Sequence, residues 1–209
     1  MRIDDDAVLW SAGPADRVGR PLLVLLHGYN SHEGDLFGLA PYLPLEPVIA
    51  SLRAPIAADY GHAWFDLAGT DARRALGQAD AATTAIVDWL DRVAPDVASV
   101  GLVGFSQGGA MALELLRRDP QRFGFAATLA GFALPGDRAG DARLAEVRPP
   151  VFWGRGTADE VIPAEEVALT QAWLPAHADV DARIYEGLGH SVSERELGDL
   201  VAWLRARYS

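Results

Sequence analysis

Short continuous apolar runs alternate along the chain with longer segments in which apolar residues recur every three or four positions, and the alternation predicts strands interleaved with helices. Residues 8–10 predict a short edge strand, and a turn at 13–16 leads away from it. Residues 21–27, PLLVLLH, form an unbroken apolar run closed by Gly28, as expected of a strand buried on both faces of a parallel sheet. Asp35 can cap a short helix over 36–40, which Pro41 or Pro44 would end. Residues 47–52 predict the next strand. The loop over 53–70 holds Tyr60, Trp64 and Phe65, and a loop that long and aromatic carries function or covers something. Asp71 opens a long amphipathic helix ending near Pro95, with Ile86, Val87, Leu90 and Val93 on one face.

A strand through 99–105 and its helix follow, stopped at Asp119-Pro120. Residues 125–130 are another buried strand. The segment 135–150 is polar and poor in pattern, which predicts a surface excursion with Asp137 and Asp141 in solvent. Strands at 150–154 and 181–186 flank a helix over 164–174. Ser193 with Glu196 three residues on forms a capping box for a last helix through Leu197, Leu200, Val201 and Leu204. Strands alternating with helices through short loops predict an α/β fold with a mostly parallel sheet covered on both faces. Its functional loops then lie at the carboxyl ends of the strands.

Composition narrows the chemistry. The 209 residues, half of them hydrophobic, suit one domain, residues 1–209, with a full-size core. Against 29 acidic residues stand 18 basic ones, and a formal charge of -11 repels phosphate backbones and anionic lipid heads. Nucleic acid is therefore not an expected partner. Every basic residue is Arg, so lysine Schiff-base chemistry and a P-loop lysine are out. No Cys is present, which excludes thiol nucleophiles, disulfides and thiolate metal sites. The acidic start, MRIDDD, lacks the pattern of a signal peptide, and no apolar run approaches the roughly 20 residues of a membrane span. The expectation is a cytoplasmic protein without stable membrane insertion.

The candidate chemistry sits at Gly104-Phe105-Ser106-Gln107-Gly108-Gly109, where an apolar strand runs into GxSxGG and then into a helix former. That is the pattern of a nucleophile elbow, a strained strand-to-helix turn that exposes the serine hydroxyl. Gly104 and Gly108 remove Cβ atoms where the chain reverses, and Gly109 lets the helix approach its own strand. The free N–H groups at the helix start favour an oxyanion.

A serine nucleophile needs a base, and His27, His32, His62, His177 and His190 compete. His190 follows the last strand, which places it at the same carboxyl edge as Ser106. His177 precedes that strand, at the opposite end, and reads as a surface residue. His32 and His62 lie in loops far upstream, and His27 reads as a ring that pins its loop by hydrogen bonds. The third member must be a carboxylate that fixes the imidazole tautomer. Asp159 follows the 150–154 strand, and Glu160 beside it is its main rival, with a longer side chain for a tight loop. The order Ser106, Asp159, His190 is the α/β-hydrolase order, unlike those of chymotrypsin and subtilisin. One oxyanion donor is the backbone N–H of Gln107; the other is expected from Tyr29, in the loop after the first buried strand.

With these residues in place the chain resembles the phospholipase/carboxylesterase branch of the α/β-hydrolases, which includes acyl-protein thioesterases. The segments LLHGYNSHEGDLFGLAPYLP, LRAP, AWFDL, GFSQGGAMAL, GTADEVIP and GLGHSVSERELGDLVAWL fall in the family's order over nearly the whole chain. The resemblance implies the same triad and oxyanion donors, a sheet of about seven strands, and hydrolysis of esters or thioesters with short to medium acyl chains. It also implies no metal or other cofactor, and frequent homodimers. One departure is Arg155-Gly156, where the family reads HG before the acid loop, and it bears on substrate preference. The compact length leaves no room for a large lid domain. Leu36, Trp64, Phe65, Phe132 and Val161 are expected pocket walls, each with an equal claim to be ordinary core. Two rivals share the pattern: a serine peptidase of the same fold, and a non-catalytic binding module that keeps it.

Overall fold

The computed structural model describes residues 1–67, 72–94, 97 and 99–208. Its centre is a seven-stranded sheet built from β1 (Leu9–Trp10), β2 (Leu22–Leu26), β3 (Val48–Leu52), β6 (Val100–Phe105), β7 (Phe123–Leu129), β8 (Pro150–Gly156) and β9 (Asp179–Tyr185). The spatial order is β1-β3-β2-β6-β7-β8-β9; β1 pairs antiparallel with β3, and every other pair is parallel. Six parallel strands put their carboxyl ends along one edge. A second, two-stranded sheet joins β4 (Ile56–Ala57) to β5 (His62–Ala63).

Alternation along each strand divides the core in two. Leu22, Val24 and Leu26 of β2 face one layer, with Val151 and Trp153 of β8, under α2 (Ala72–Val93) and α3 (Gln107–Arg118). Leu23, Leu25 and Phe152 face the other layer, under α1 (Gly34–Phe37) and α6 (Glu194–Tyr208). Every residue of β2 is buried, which accounts for its unbroken apolar run. At the edge, β9 is largely exposed, and Arg183 binds Asp181 on its outer face, blunting the edge with charge.

Several expectations need correction. Asp35 does not cap α1; the helix begins at Gly34 and lasts one turn, and the Asp35 carboxylate accepts from Ser31 Oγ at 2.7 Å. The 53–70 loop is partly ordered as β4 and β5, whose residues are too few to leave a periodicity. The proposed start of α2 at Asp71 and its stop near Pro95 lie outside the described residues. On α2, Ile86 and Leu90 are buried, but Val93 is 39% exposed at the last turn. α5 (Ala164–His177) runs one turn past Leu174 with Pro175 inside it, close enough to the helix end to remove little.

The 135–150 excursion contains α4 (Asp141–Val147), held by the single buried apolar anchor Leu144. Asp141 is not solvated as expected. Both its oxygens bind the buried Arg117, from Nε and Nη2 at 2.7 Å each.

Candidate active site

The elbow takes its shape from close backbone approaches. Ser106 has φ 53° and ψ -119°, a conformation that costs a non-glycine residue on the order of 1–3 kcal/mol. A Cβ on Gly104 would sit 2.1 Å from the Gly108 carbonyl oxygen, and one on Gly108 would sit 1.9 Å from that of Leu26 in β2. Gly109 closes mainly against Thr128 of β7 and Gly131, so it fits the helix to a neighbouring strand as well as to its own. These contacts hold Ser106 at the start of α3, where the first N–H groups have no intrahelical partner.

Three strand ends then converge. Ser106 Oγ, after β6, lies 2.9 Å from His190 Nε2, after β9. His190 Nδ1 lies 2.8 Å from Asp159 Oδ2, after β8. The other oxygen, Asp159 Oδ1, accepts from the N–H groups of Val161 at 2.9 Å and Ile162 at 3.2 Å. Burial pushes the Asp159 carboxyl up, but the hydrogen bonds from His190 and those two amides outweigh it, and the net shift is downward. Asp159 is thus held ionised beside the imidazole. Glu160 is exposed and plays no such part.

The loop after β2 is clasped from three sides. His27, fully buried, donates from Nδ1 to the Gly28 carbonyl at 2.7 Å and accepts from Ala54 N–H at Nε2. Those partners fix its tautomer, and burial lowers its pKa to about 4, so the ring is neutral. Because a peptide is planar, holding the Gly28 carbonyl also sets the direction of the Tyr29 N–H. Trp64 Nε1 donates to the His27 carbonyl at 2.8 Å. Trp64 is tied in turn to the elbow helix: Gln107 Oε1 accepts from Trp64 N–H at 2.8 Å, and Gln107 Nε2 donates to the Phe65 carbonyl at 2.6 Å. This use of the Gln107 and Trp64 side chains escaped the sequence reading, since their partners are backbone groups that leave no side-chain signature.

Four of the five expected pocket walls are buried. Leu36 is packed in the α1–α6 core layer, Trp64, Phe65 and Phe132 belong to the α2–α3 layer, and Val161 is 61% exposed. The cavity beside Asp159, about 390 Å³, has none of the five on its lining. His177 stacks on Trp173 in the last turn of α5, and His32 accepts from Gly34 N–H in its own loop. His62 pairs through β5 with Ser31. Among the described residues no three His, Asp or Glu side chains converge as metal ligands would, and no helix is long and apolar enough to cross a membrane.

A mostly parallel sheet with a serine elbow after a central strand, an acid and a histidine after the strands beyond it, and no large lid defines an α/β-hydrolase. The chain belongs to the Phospholipase/Carboxylesterase family, whose model matches residues 13–207. It is 30% identical over 229 residues to acyl-protein thioesterase 1 of Kluyveromyces lactis, a match covering 98% of this chain and 97% of that one. A relative from rice is 27% identical over 167 residues, and the match spans 62% of its length. The crystal structure of the Bacillus cereus carboxylesterase superposes with a TM-score of 0.80 at 21% identity, over 95% of this chain and 93% of that one. Family and relatives support a hydrolase of the esterase or thioesterase kind.

Proposed function

We propose that the protein is a serine carboxylesterase. It hydrolyses small carboxylic esters with short to medium acyl chains, and thioesters or lysophospholipids in that range, through an acyl-enzyme intermediate. The observation that carries the reading is the continuous hydrogen-bonded line from Ser106 through His190 to Asp159. His190 takes the Ser106 proton as Oγ attacks the substrate carbonyl. The N–H groups of Tyr29 and Gln107 receive the developing oxyanion. His190 then returns the proton to the departing alcohol or thiol, and water, activated by the same imidazole, releases the acid. Asp159 holds the tautomer and balances the imidazolium charge. A cytoplasmic setting and a homodimer belong to the same proposal; sedimentation of the purified protein reads the second.

The wild-type protein should cleave 4-nitrophenyl esters and be labelled by a fluorophosphonate probe. Ser106→Ala should lose labelling and about 10⁴-fold or more in kcat while keeping its circular dichroism spectrum. Labelling that persists in the variant refutes the nucleophile.

A further inference from the structure

Arg155 is the last side chain on its face of β8, following Val151 and Trp153 in the two-residue alternation. Its neighbours below are core, whereas it emerges at the carboxyl edge and lines the cavity beside Asp159. That cavity meets the Ser106–His190–Asp159 line at Asp159, which is on its lining. Ser106 N–H donates to the Leu129 carbonyl and Ala130 N–H to the Gly154 carbonyl, so Ala130, on the lining, bridges the strand next to the nucleophile and the strand of Arg155. Ile162 and Val167 supply apolar wall on the other side.

The guanidinium in this cavity is unspent. Its Nε is shielded from solvent without a hydrogen-bond partner, and among the described residues no carboxylate pairs with it. It lies over the Trp153 ring, whose centroid is 5.5 Å from Cζ. Asp159, also on the lining, is engaged instead by His190 and two backbone amides. Glu160, also on the lining, is exposed. A sheltered donor without an acceptor is unfavourable, and a planar fork is shaped to receive a carboxylate with two parallel hydrogen bonds.

We propose that Arg155 anchors an anion subsite beside the triad, so that the preferred substrates are small esters carrying a carboxylate. The inference rests on the esterase reading and specifies its substrate class. Arg155 attracts the ligand carboxylate into a cavity of a protein that is otherwise strongly acidic. Glu160 opposes it, and the two side chains therefore tune selectivity in opposite directions.

The test compares the wild type with Arg155→Gln and Glu160→Gln on two matched pairs of esters. The acyl-side pair is mono-4-nitrophenyl glutarate against 4-nitrophenyl valerate; the alcohol-side pair is 4-acetoxybenzoate against phenyl acetate. In at least one pair Arg155→Gln should lower kcat/KM for the anionic member by about 10-fold or more, mainly through KM, with the neutral member within about 2-fold. Glu160→Gln should move the same ratio the other way. Neutral esters cleaved by both proteins with the ratio unmoved in both pairs overturn the subsite. Calorimetric titration of glutarate into Ser106→Ala gives a readout that needs no turnover. Binding weakened about 10-fold by adding Arg155→Gln supports the subsite even if no ester is hydrolysed, an outcome that would refute the esterase reading alone. Equal binding, or none to either protein, overturns it.

Discussion

Arg117 and Arg155 both lie over a tryptophan ring, at 4.9 Å from Trp173 and 5.5 Å from Trp153, and there the likeness ends. Arg117 is 2% exposed and uses all five donors. Nε and Nη2 hold Asp141, Nη1 holds Glu114 and the Leu134 carbonyl, and Nη2 also holds the Gly136 carbonyl. Arg138 completes the cluster by binding the second oxygen of Glu114. A buried cation so saturated has no capacity left for a ligand; it fixes the path of the chain between β7 and α4. Arg155 is the opposite case, a cation with apolar and aromatic support that no carboxylate among the described residues pairs with, facing a cavity. Satisfied charge inside a protein marks architecture, and unsatisfied charge at a cavity marks recognition.

The contrast is sharpest if the two residues are removed in turn. Arg117→Ala strips Asp141 of its cation and leaves Glu114 with Arg138 alone, and should lower stability by about 3–5 kcal/mol, read by chemical denaturation, with the preference between anionic and neutral esters unchanged. Arg155→Gln should alter that preference with stability within roughly 0.5 kcal/mol of wild type. Results in the reverse order would break the comparison.

A smaller effect is expected where architecture and function share one group. Trp64→Phe keeps an aromatic ring in the core but deletes the donor to the His27 carbonyl. It should reduce kcat on the order of 10-fold with KM little changed, because the Tyr29 N–H loses alignment with an oxyanion that exists only in the transition state. A rise in KM alone would make Trp64 a substrate wall instead.

The smallest effect concerns Glu196, an unsatisfied buried group that faces core rather than cavity. Its N–H donates to Ser193 Oγ at 3.1 Å, as a capping box requires. Its carboxylate does not reach back as the box requires; both oxygens are buried without partners among the described residues, in space left by Gly154. Burial pushes its pKa up to about 7. A carboxyl raised in the folded state binds its proton more tightly there. Its contribution is complete below the unfolded value near 4.5 and is lost as pH rises through about 7. Melting temperature should therefore fall from pH 5 to pH 8 in the wild type. Glu196→Gln should flatten that fall and melt a few degrees higher at pH 8.

These pairs also explain what could be read in the sequence. The sheet was legible because strands buried on both faces, such as β2, must be apolar throughout. Ser106, His190 and Asp159 could be aligned because a parallel sheet brings every strand's carboxyl end to one edge. Asp141 was misread because a polar residue in a polar segment looks the same whether it meets water or a buried arginine. Trp64 and Phe65 are conspicuous in a loop, but their tie to Gln107, some forty positions away, runs through backbone groups and leaves no pattern in the sequence. Arg155 was visible as a departure from the family's pattern, while its lack of a partner is a property of three dimensions.

The attachment of His190 has a further consequence. The loop that bears His190 leads directly into α6, and α6 is secured by Leu200, Trp203 and Leu204 against Phe125 and Phe152. Ser106, by contrast, is built into the centre of the sheet. If α6 peels away while the sheet persists, the proposed nucleophile keeps its place and loses its proposed base. Catalysis is therefore a sentinel for one helix: on gradual heating, turnover should fade before the sheet's own signal changes.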